Sequence, residues 1–301
     1  MYSLRQLKRA VDNPTLFIEE TNRIAHRRLN RWSYNERGVD VFAEDWDNLV
    51  VLDACRYDIF AEQHYLPGRL ESRVSRGSGT WEFLQGNFAG RSLEDVVYVT
   101  ASPMLHRNED ELDTRLHAIV NVWQEEGWDE TYRTVLPETT TEYAVRAAEE
   151  YPNKRILVHY LQPHYPFLGP TGQEHFPLDS LAIWHEVKAG TLDVPDEILW
   201  RAFRENLDVV LPYVEDLLET LEGRSVVTAD HGQVIGERCY PIPVREYGHP
   251  LGIYMDELVR VPWLVHDNGD RRVITSDPPA EVEEDIDYAV VTDRLEQLGY
   301  K

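Results

Sequence analysis

Two side chains able to do metal chemistry stand side by side at Asp230-His231, followed by Gly232. They sit inside the run Arg224-Ser-Val-Val-Thr-Ala-Asp-His-Gly-Gln-Val-Ile-Gly236. The run opens apolar and β-branched, which reads as a buried strand ending at the pair. A carboxylate is a hard oxygen ligand and an imidazole a borderline nitrogen ligand, so together they can hold Zn, Mn or a similar divalent ion. Gly232 would let the backbone turn tightly around whatever sits there. An aspartate that merely caps the next element would look the same in isolation, so the rest of the chain has to decide.

The remaining candidates fall at comparable places. Leu49-Val-Val-Leu-Asp-Ala54 is a strong strand with Asp53 near its end. Ser75-Arg-Gly-Ser-Gly-Thr80 is a small-residue turn leading into the helix-like Trp81-Glu-Phe-Leu. Arg155-Ile-Leu-Val-His-Tyr-Leu161 is a strand that runs into Gln162-Pro-His-Tyr-Pro-Phe167 and carries His164. Further strands are expected over 95–101 and 261–265. Helices are expected over 58–64, 109–123, 138–150, 200–221 and 291–298. The fourth is the best amphipathic helix, with Leu207, Val210, Leu211, Val214, Leu217, Leu218 and Leu221 on one stripe. Residues 169–194 read as an irregular insertion.

This alternation predicts an α/β fold with a mostly parallel central sheet and helices on both faces. Ligands in such folds gather outside the carboxyl ends of the strands. Asp53, His164, Asp230 and His231 lie at or just beyond those ends, and Thr80 lies in a turn before a helix. Their convergence on one edge favours Asp53 as a ligand beside Asp230 and His231. Thr80 competes with Ser78 and Ser75 as a reactive hydroxyl and is favoured because it directly precedes the helix. His159 alternates within its strand and reads as a buried, hydrogen-bonded core residue.

Composition bounds the partners. The chain has 301 residues and a net charge of -24, and its only lysines are Lys8, Lys154, Lys188 and Lys301. Such a surface suits high salt, where self-repulsion is screened, so a halophilic protein is expected. It disfavours nucleic acid, whose phosphates need clustered basic residues. Cys55 and Cys239 make no disulfide framework. With no secretory signal and no apolar run long enough to span a bilayer, the expected compartment is the cytoplasm. Residues 1–38 form a basic amphipathic segment, with Leu4, Leu7 and Val11 at helical spacing and Phe17, Ile24 and Leu29 more loosely so. Pro14 is expected to separate two helices. Packing of this segment on the protein's own acidic body is favoured over weak membrane-surface contact through residues 1–32. Residues 39–275 are expected to form the domain that carries these candidates, with 169–194 as its insertion, and 276–301 an acidic link and closing helix of that domain.

Taken in order, Leu-Asp53-Ala-Cys-Arg-Tyr-Asp58, the Ser/Gly/Thr turn, Pro163-His164-Tyr-Pro166, Thr-Ala-Asp230-His231-Gly, Gly248-His249-Pro and Glu257-Leu-Val-Arg-Val-Pro262 resemble the alkaline phosphatase superfamily, its sulfatase-like branch above all. The resemblance covers about residues 39–265 and suggests an acidic member of archaeal type. It implies an alkaline-phosphatase-like α/β sandwich with a divalent metal at the strand ends. In that pattern Asp53, Asp230 and His231 look like metal ligands, and Thr80 like a nucleophile that also touches the metal. His164 and His249 match positions that bind a second metal or the substrate's oxyanion. Arg56 could pair with an anionic group, and Ser78 stands beside the nucleophile on the substrate side.

The chain also departs from the family. No Cys/Ser-x-Pro-x-Arg run surrounds Thr80, which argues against a formylglycine. The Asp-x-x-x-His pair of two-metal phosphatases is missing around His164, which argues for one metal per chain, Zn or Mn before Ca. The expected activity is hydrolysis, or transfer, of a phosphate or sulfate ester through a covalent threonine intermediate. The substrate would be a small-molecule, glycan or lipid ester. The alternative is a catalytically weak protein of this fold that binds an anionic glycan or lipid head group.

Overall fold

The structure is a computed structural model that describes residues 14–29, 31–124, 127–176, 183–279 and 288–299. In chain order these form α1 (Pro14–His26), β1 (Asn48–Leu52), α2 (Tyr57–Gln63), β2 (Arg69–Val74), α3 (Thr80–Phe88), β3 (Ser92–Thr100), α4 (Met104–Arg107), α5 (Glu109–Leu112) and β4 (Arg115–Asn121). Next come β5 (Trp128–Asp129), β6 (Thr134–Val135), α6 (Pro137–Glu150), β7 (Arg155–Tyr160), α7 (Pro170–His175), α8 (Ile183–Ala189) and α9 (Asp196–Thr220). The chain closes with β8 (Gly223–Thr228), β9 (Val234–Arg238), β10 (Arg245–Gly248), α10 (Asp256–Val259), β11 (Arg260–Asn268) and α11 (Tyr288–Gln297).

Seven strands form the central sheet in the order β2-β11-β8-β1-β7-β3-β4. β1 pairs parallel with β7 and β8, and β3 pairs parallel with β7 and β4. β11 is antiparallel to both of its neighbours. Every residue of β1 is buried, as are the last five of β7. An apolar run without alternation is what a strand covered on both faces requires, and it is the reason these strands occupy the middle. Because β1, β7 and β8 run the same way, their carboxyl ends open onto one edge, and Asp53, His164 and Asp230 follow from there.

α9 owes its place to its stripe. Leu207, Val210, Leu211, Val214, Leu217 and Leu218 are all fully buried. Pro212 lies inside the helix. No helix among the described residues is long and apolar enough to cross a membrane. Both cysteines are free and buried.

Several expectations need correction. The helix expected over 109–123 stops at Leu112, where Asp113 turns left-handed at φ 43°, and Arg115–Asn121 is a strand beside β3. β2 and the β9–β10 hairpin carry no apolar pattern that would have announced them. β2 in particular is a partly exposed edge strand bearing Arg69, Glu71 and Arg73, as edges exposed to solvent often do. The 169–194 insertion contains α7 and α8.

Pro14 begins α1, and the helical reading of residues 1–13 lies outside the described residues, as do 280–287 of the acidic link. Phe17 and Leu29 do not form a buried stripe: they are 63% and 74% exposed. α1 sits instead on the protein's own acidic body through polar contacts. Glu19 pairs with Lys188 at 2.7 Å, and Arg27, just past the helix, pairs with the buried Glu82 at 2.5 Å.

The stripe of α9 yields a direct stability test. Leu207→Ala removes a fully buried side chain and should lower the unfolding free energy by about 2–5 kcal/mol in urea denaturation. A change inside error would mean that α9 does not anchor the core.

Candidate active site

Asp53 lies one residue beyond β1, buttoned to β7: its N–H donates to the Tyr160 carbonyl at 3.2 Å. Its own carbonyl accepts from the His164 N–H at 3.1 Å, which brings the next loop alongside. Ala54 then turns left-handed at φ 63°, an uncommon conformation for a residue with a Cβ. That turn aims the Ala54 N–H at Asp230 Oδ1, 3.1 Å away, and the His231 N–H reaches the same oxygen at 2.9 Å. Gly232 is required by close approach: a Cβ there would lie 2.1 Å from the Glu257 carbonyl oxygen.

With Oδ1 of Asp230 held by two backbone donors, Oδ2 faces the site. The Thr80 hydroxyl donates to it at 2.8 Å. Thr80 Oγ1 is 3.4 Å from His231 Nε2, which is itself 3.3 Å from Asp53 Oδ1 and 3.4 Å from Asp230 Oδ2. His231 Nδ1 lies 2.7 Å from the Gly232 carbonyl, so it carries the hydrogen and leaves Nε2 as the ligating nitrogen of the neutral ring. Tetrahedral Zn with bonds of about 2.0–2.1 Å has ligand–ligand edges of roughly 3.3–3.4 Å. Three of the observed separations match those edges. Asp53, Asp230 and His231 are thus spaced to suit a divalent ion, with Thr80 beside them, its 2.8 Å separation from Asp230 Oδ2 being a hydrogen bond shorter than such an edge.

The side chain that sequence reasoning missed is His159. It is the buried, hydrogen-bonded residue expected, with Nδ1 2.7 Å from the Tyr98 hydroxyl. It also presents Nε2 to the site, 3.7 Å from Asp230 Oδ2. Ligand atoms of Asp53, His159 and Asp230 all lie within 4.8 Å of one another, a group able to hold a metal ion. The available signal was register, since His159 pairs with Val51, two residues before Asp53.

Charge explains why these groups need one another. Burial opposes ionisation of Asp53, yet His164 and His231 hold its carboxyl well below the usual range. Burial, and then the Asp53 charge, push Asp230 the other way. Burial alone would lower His231, but Asp230 and Asp53 outweigh it and push the imidazole up to about 9. Two adjacent buried carboxylates demand a cation, and with no ion bound the His231 proton serves.

The other candidates divide. His164 and His249 join the site, their ring centroids 4.9 Å apart, and His249 lies 4.7 Å from the His231 ring. Burial, then the charges of His231 and His164, push His249 well below its ordinary value, so it is neutral. Both line a cavity of about 310 Å³ with Tyr165, Trp184, Lys188 and Tyr247. Asn206 of α9 holds the His164 loop by donating to the carbonyls of Pro163, His164 and Pro166.

Ser78 and Ser75 do not face the carboxylate pair. The Ser78 hydroxyl donates to Glu82 at 2.8 Å, and that of Ser75 donates to the Asp230 carbonyl. Arg56, expected to meet an anion, is committed elsewhere. Its guanidinium binds both oxygens of Asp58, the Gln233 carbonyl and Glu237, and lies over Trp200. Burial pushes the Cys55 thiol up, which leaves it unreactive.

No protein-family profile and no curated protein matches the chain. Among solved structures it is similar to the integral membrane lipooligosaccharide phosphoethanolamine transferase EptA from Neisseria meningitidis. The identity is 13% and the TM-score 0.44, over 72% of this chain and 47% of that one. The chain thus spans about half the length of that protein. It is also similar to the C-terminal periplasmic domain of the phosphoethanolamine transferase EptC from Campylobacter jejuni, at 13% identity and TM-score 0.45, over 73% and 78% of the two chains. A third is the lipoteichoic acid synthase LtaP from Listeria monocytogenes, at 11% identity and TM-score 0.38, over 93% and 78%.

The His231 imidazole supplies a test of the metal site. At pH 7 the ion-free protein holds the His231 proton, since its value is about 9, whereas an ion takes the neutral ring. Calorimetric titration of chelator-stripped protein with Zn should release about one proton per ion at pH 7 and fewer above pH 9. Asp53→Asn should weaken binding by at least tenfold. Proton release that does not change between pH 7 and pH 10, or full affinity in Asp53→Asn, would contradict the assignment.

Proposed function

We propose that the chain is a metal-dependent enzyme that moves a phosphoryl or sulfuryl group out of an ester, as a hydrolase or a transferase, through a covalent bond to Thr80. The observation that carries this reading is the Thr80 hydroxyl. It is buried, bonded to Asp230 Oδ2 at 2.8 Å, and 3.4 Å from His231 Nε2. It turns toward the Asp230 carboxylate and the His231 imidazole.

The donor set favours Zn or Mn over Ca, because one ligand is a nitrogen. When bound, the ion supplies the positive charge that makes a threonine alkoxide accessible and offsets charge on the transferred group. The chain's own residues do the rest. Asp230 Oδ2 already accepts the Thr80 hydroxyl hydrogen and is the first station for that proton. Thr80 Oγ1 bonds to phosphorus or sulfur as the ester oxygen leaves with the old bond's electron pair. His249, kept neutral, offers an N–H to an equatorial oxygen, and His164 gives the departing oxygen its proton. Thr80 begins α3, whose first-turn N–H groups add partial positive charge. Water, or an acceptor alcohol in the cavity beside His164 and His249, then gives its proton to His164 and bonds to the group as the bond to Thr80 breaks, and the Thr80 oxygen takes its proton back from Asp230.

Zn-loaded protein on an aryl phosphate and aryl sulfate panel tests this reading. Thr80→Ala should abolish turnover while Zn stays bound, and Thr80→Ser should retain a measurable fraction. Quenching wild type in mid-reaction should leave a phosphate- or sulfate-sized adduct on the Thr80 peptide by mass spectrometry. Full activity in Thr80→Ala would overturn the mechanism. Tight binding of an ester that is never consumed would return the chain to the binding-only alternative.

A further inference from the structure

Glu82 stands two residues after Thr80, in the first turn of α3, with its side chain fully buried. Such a carboxylate needs a cation and several donors. The donors converge from three directions. Arg27 donates to Oε1 at 2.5 Å and the Tyr254 hydroxyl to the same oxygen at 3.2 Å. The Ser78 N–H and hydroxyl donate to Oε2 at 3.0 and 2.8 Å. Ser78 Oγ in turn accepts the Gly252 N–H at 2.9 Å. One chain of contacts thus links Arg27, the nucleophile turn and the loop that carries His249.

The N-terminal segment also holds the β9–β10 connection and the far end of that loop. Asn22, fully buried, exchanges two hydrogen bonds of 2.9 Å with the Ile242 backbone. His26 Nε2 meets the Tyr240 carbonyl at 2.8 Å, while its Nδ1 accepts the Tyr254 N–H at 3.3 Å. Gly252, at φ 78°, lies so close that an added Cβ would be 2.4 Å from Arg27 Nε. On the other side, a Cβ on Gly79 would be 3.7 Å from the His249 ring. Lys188 ties Glu19 of α1 to Glu246 of β10, three residues before His249.

We propose that residues 14–29 are a positioning strap of the active site: through Arg27, Glu82 and Ser78 they fix the nucleophile turn against the loop that carries His249. Arg27 and Ser78 are then positioning residues, acting through others. The inference rests on the reading that Thr80 and His249 face the same transferred group. It goes beyond that reading by giving the N-terminal segment a task in the reaction.

Three variants test it, Arg27→Met, Arg27→Lys and Ser78→Ala, each assayed Zn-loaded on an aryl phosphate or sulfate that wild type turns over. A misplacement of about 1 Å can lower a rate about 100-fold. Arg27→Met should lower kcat on the order of 10–100-fold with KM changed by less than about threefold. Arg27→Lys should recover part of that loss. Ser78→Ala, which keeps the ion pair and so the fold, should lower kcat about tenfold. Zn affinity should fall much less than kcat in all three, because the strap touches none of Asp53, Asp230 and His231 and shifts only Thr80 among the four groups around the ion. Hydrogen exchange should quicken over residues 240–254 in Arg27→Met and Ser78→Ala and not in β1 or β7. Wild-type kcat in Ser78→Ala, or Zn affinity falling in step with kcat, would overturn the strap. If wild type turns over no ester, exchange alone decides: unchanged protection of 240–254 in both variants overturns the strap, and quickened protection loss supports it while the enzymatic reading fails.

Discussion

Two carboxylates, Asp53 and Asp230, are buried side by side at the carboxyl ends of the parallel strands β1 and β8. Like charges so placed repel strongly and have lost their water. Most of what surrounds them answers that constraint. The Ala54 and His231 N–H groups take one oxygen of Asp230, the Thr80 hydroxyl takes the other, and His231 and His159 bring two imidazoles. A divalent ion would satisfy the same demand with more charge, which is why the geometry and the electrostatics point to one occupant.

The second tier holds these groups in place. Asn206 on α9 bonds three carbonyls of the His164 loop, so the most strongly amphipathic helix also sets a site residue. Glu82 and Ser78 sit behind Thr80 and join its turn to the His249 loop. Gly232 leaves room for the Glu257 carbonyl, which brings the segment before β11 against the metal motif. Precision at the centre comes from groups that never touch it.

How far the chain could be read from its letters follows from the same physics. β1 and β8 were legible because a doubly covered strand is continuously apolar, and their ends located Asp53, Asp230 and His231. α9 was legible from its stripe. β4 was not, because Leu112, Leu116, Ile119 and Trp123 also fit a helical period. β2 and the β9–β10 hairpin carry charges where a pattern would be, so nothing local marks them. The choice among Ser75, Ser78 and Thr80 depends on where each hydroxyl points, which only the folded turn decides. Arg56 has the position of an anion ligand in the sequence, but Asp58 and Glu237 take its charge in the fold. Glu82 and Arg27 are 55 residues apart, and no spacing rule joins them.

The central claim is that one cation sits among Asp53, Asp230, His231 and Thr80. Anomalous diffraction at the zinc edge, from crystals grown with Zn, tests it most directly. The account predicts a single strong peak about 2.0–2.1 Å from Asp53, Asp230 and His231, with Thr80 Oγ1 as the fourth neighbour. A peak that leaves Thr80 out of reach, or an empty space between the two carboxylates in zinc-replete crystals, would contradict it.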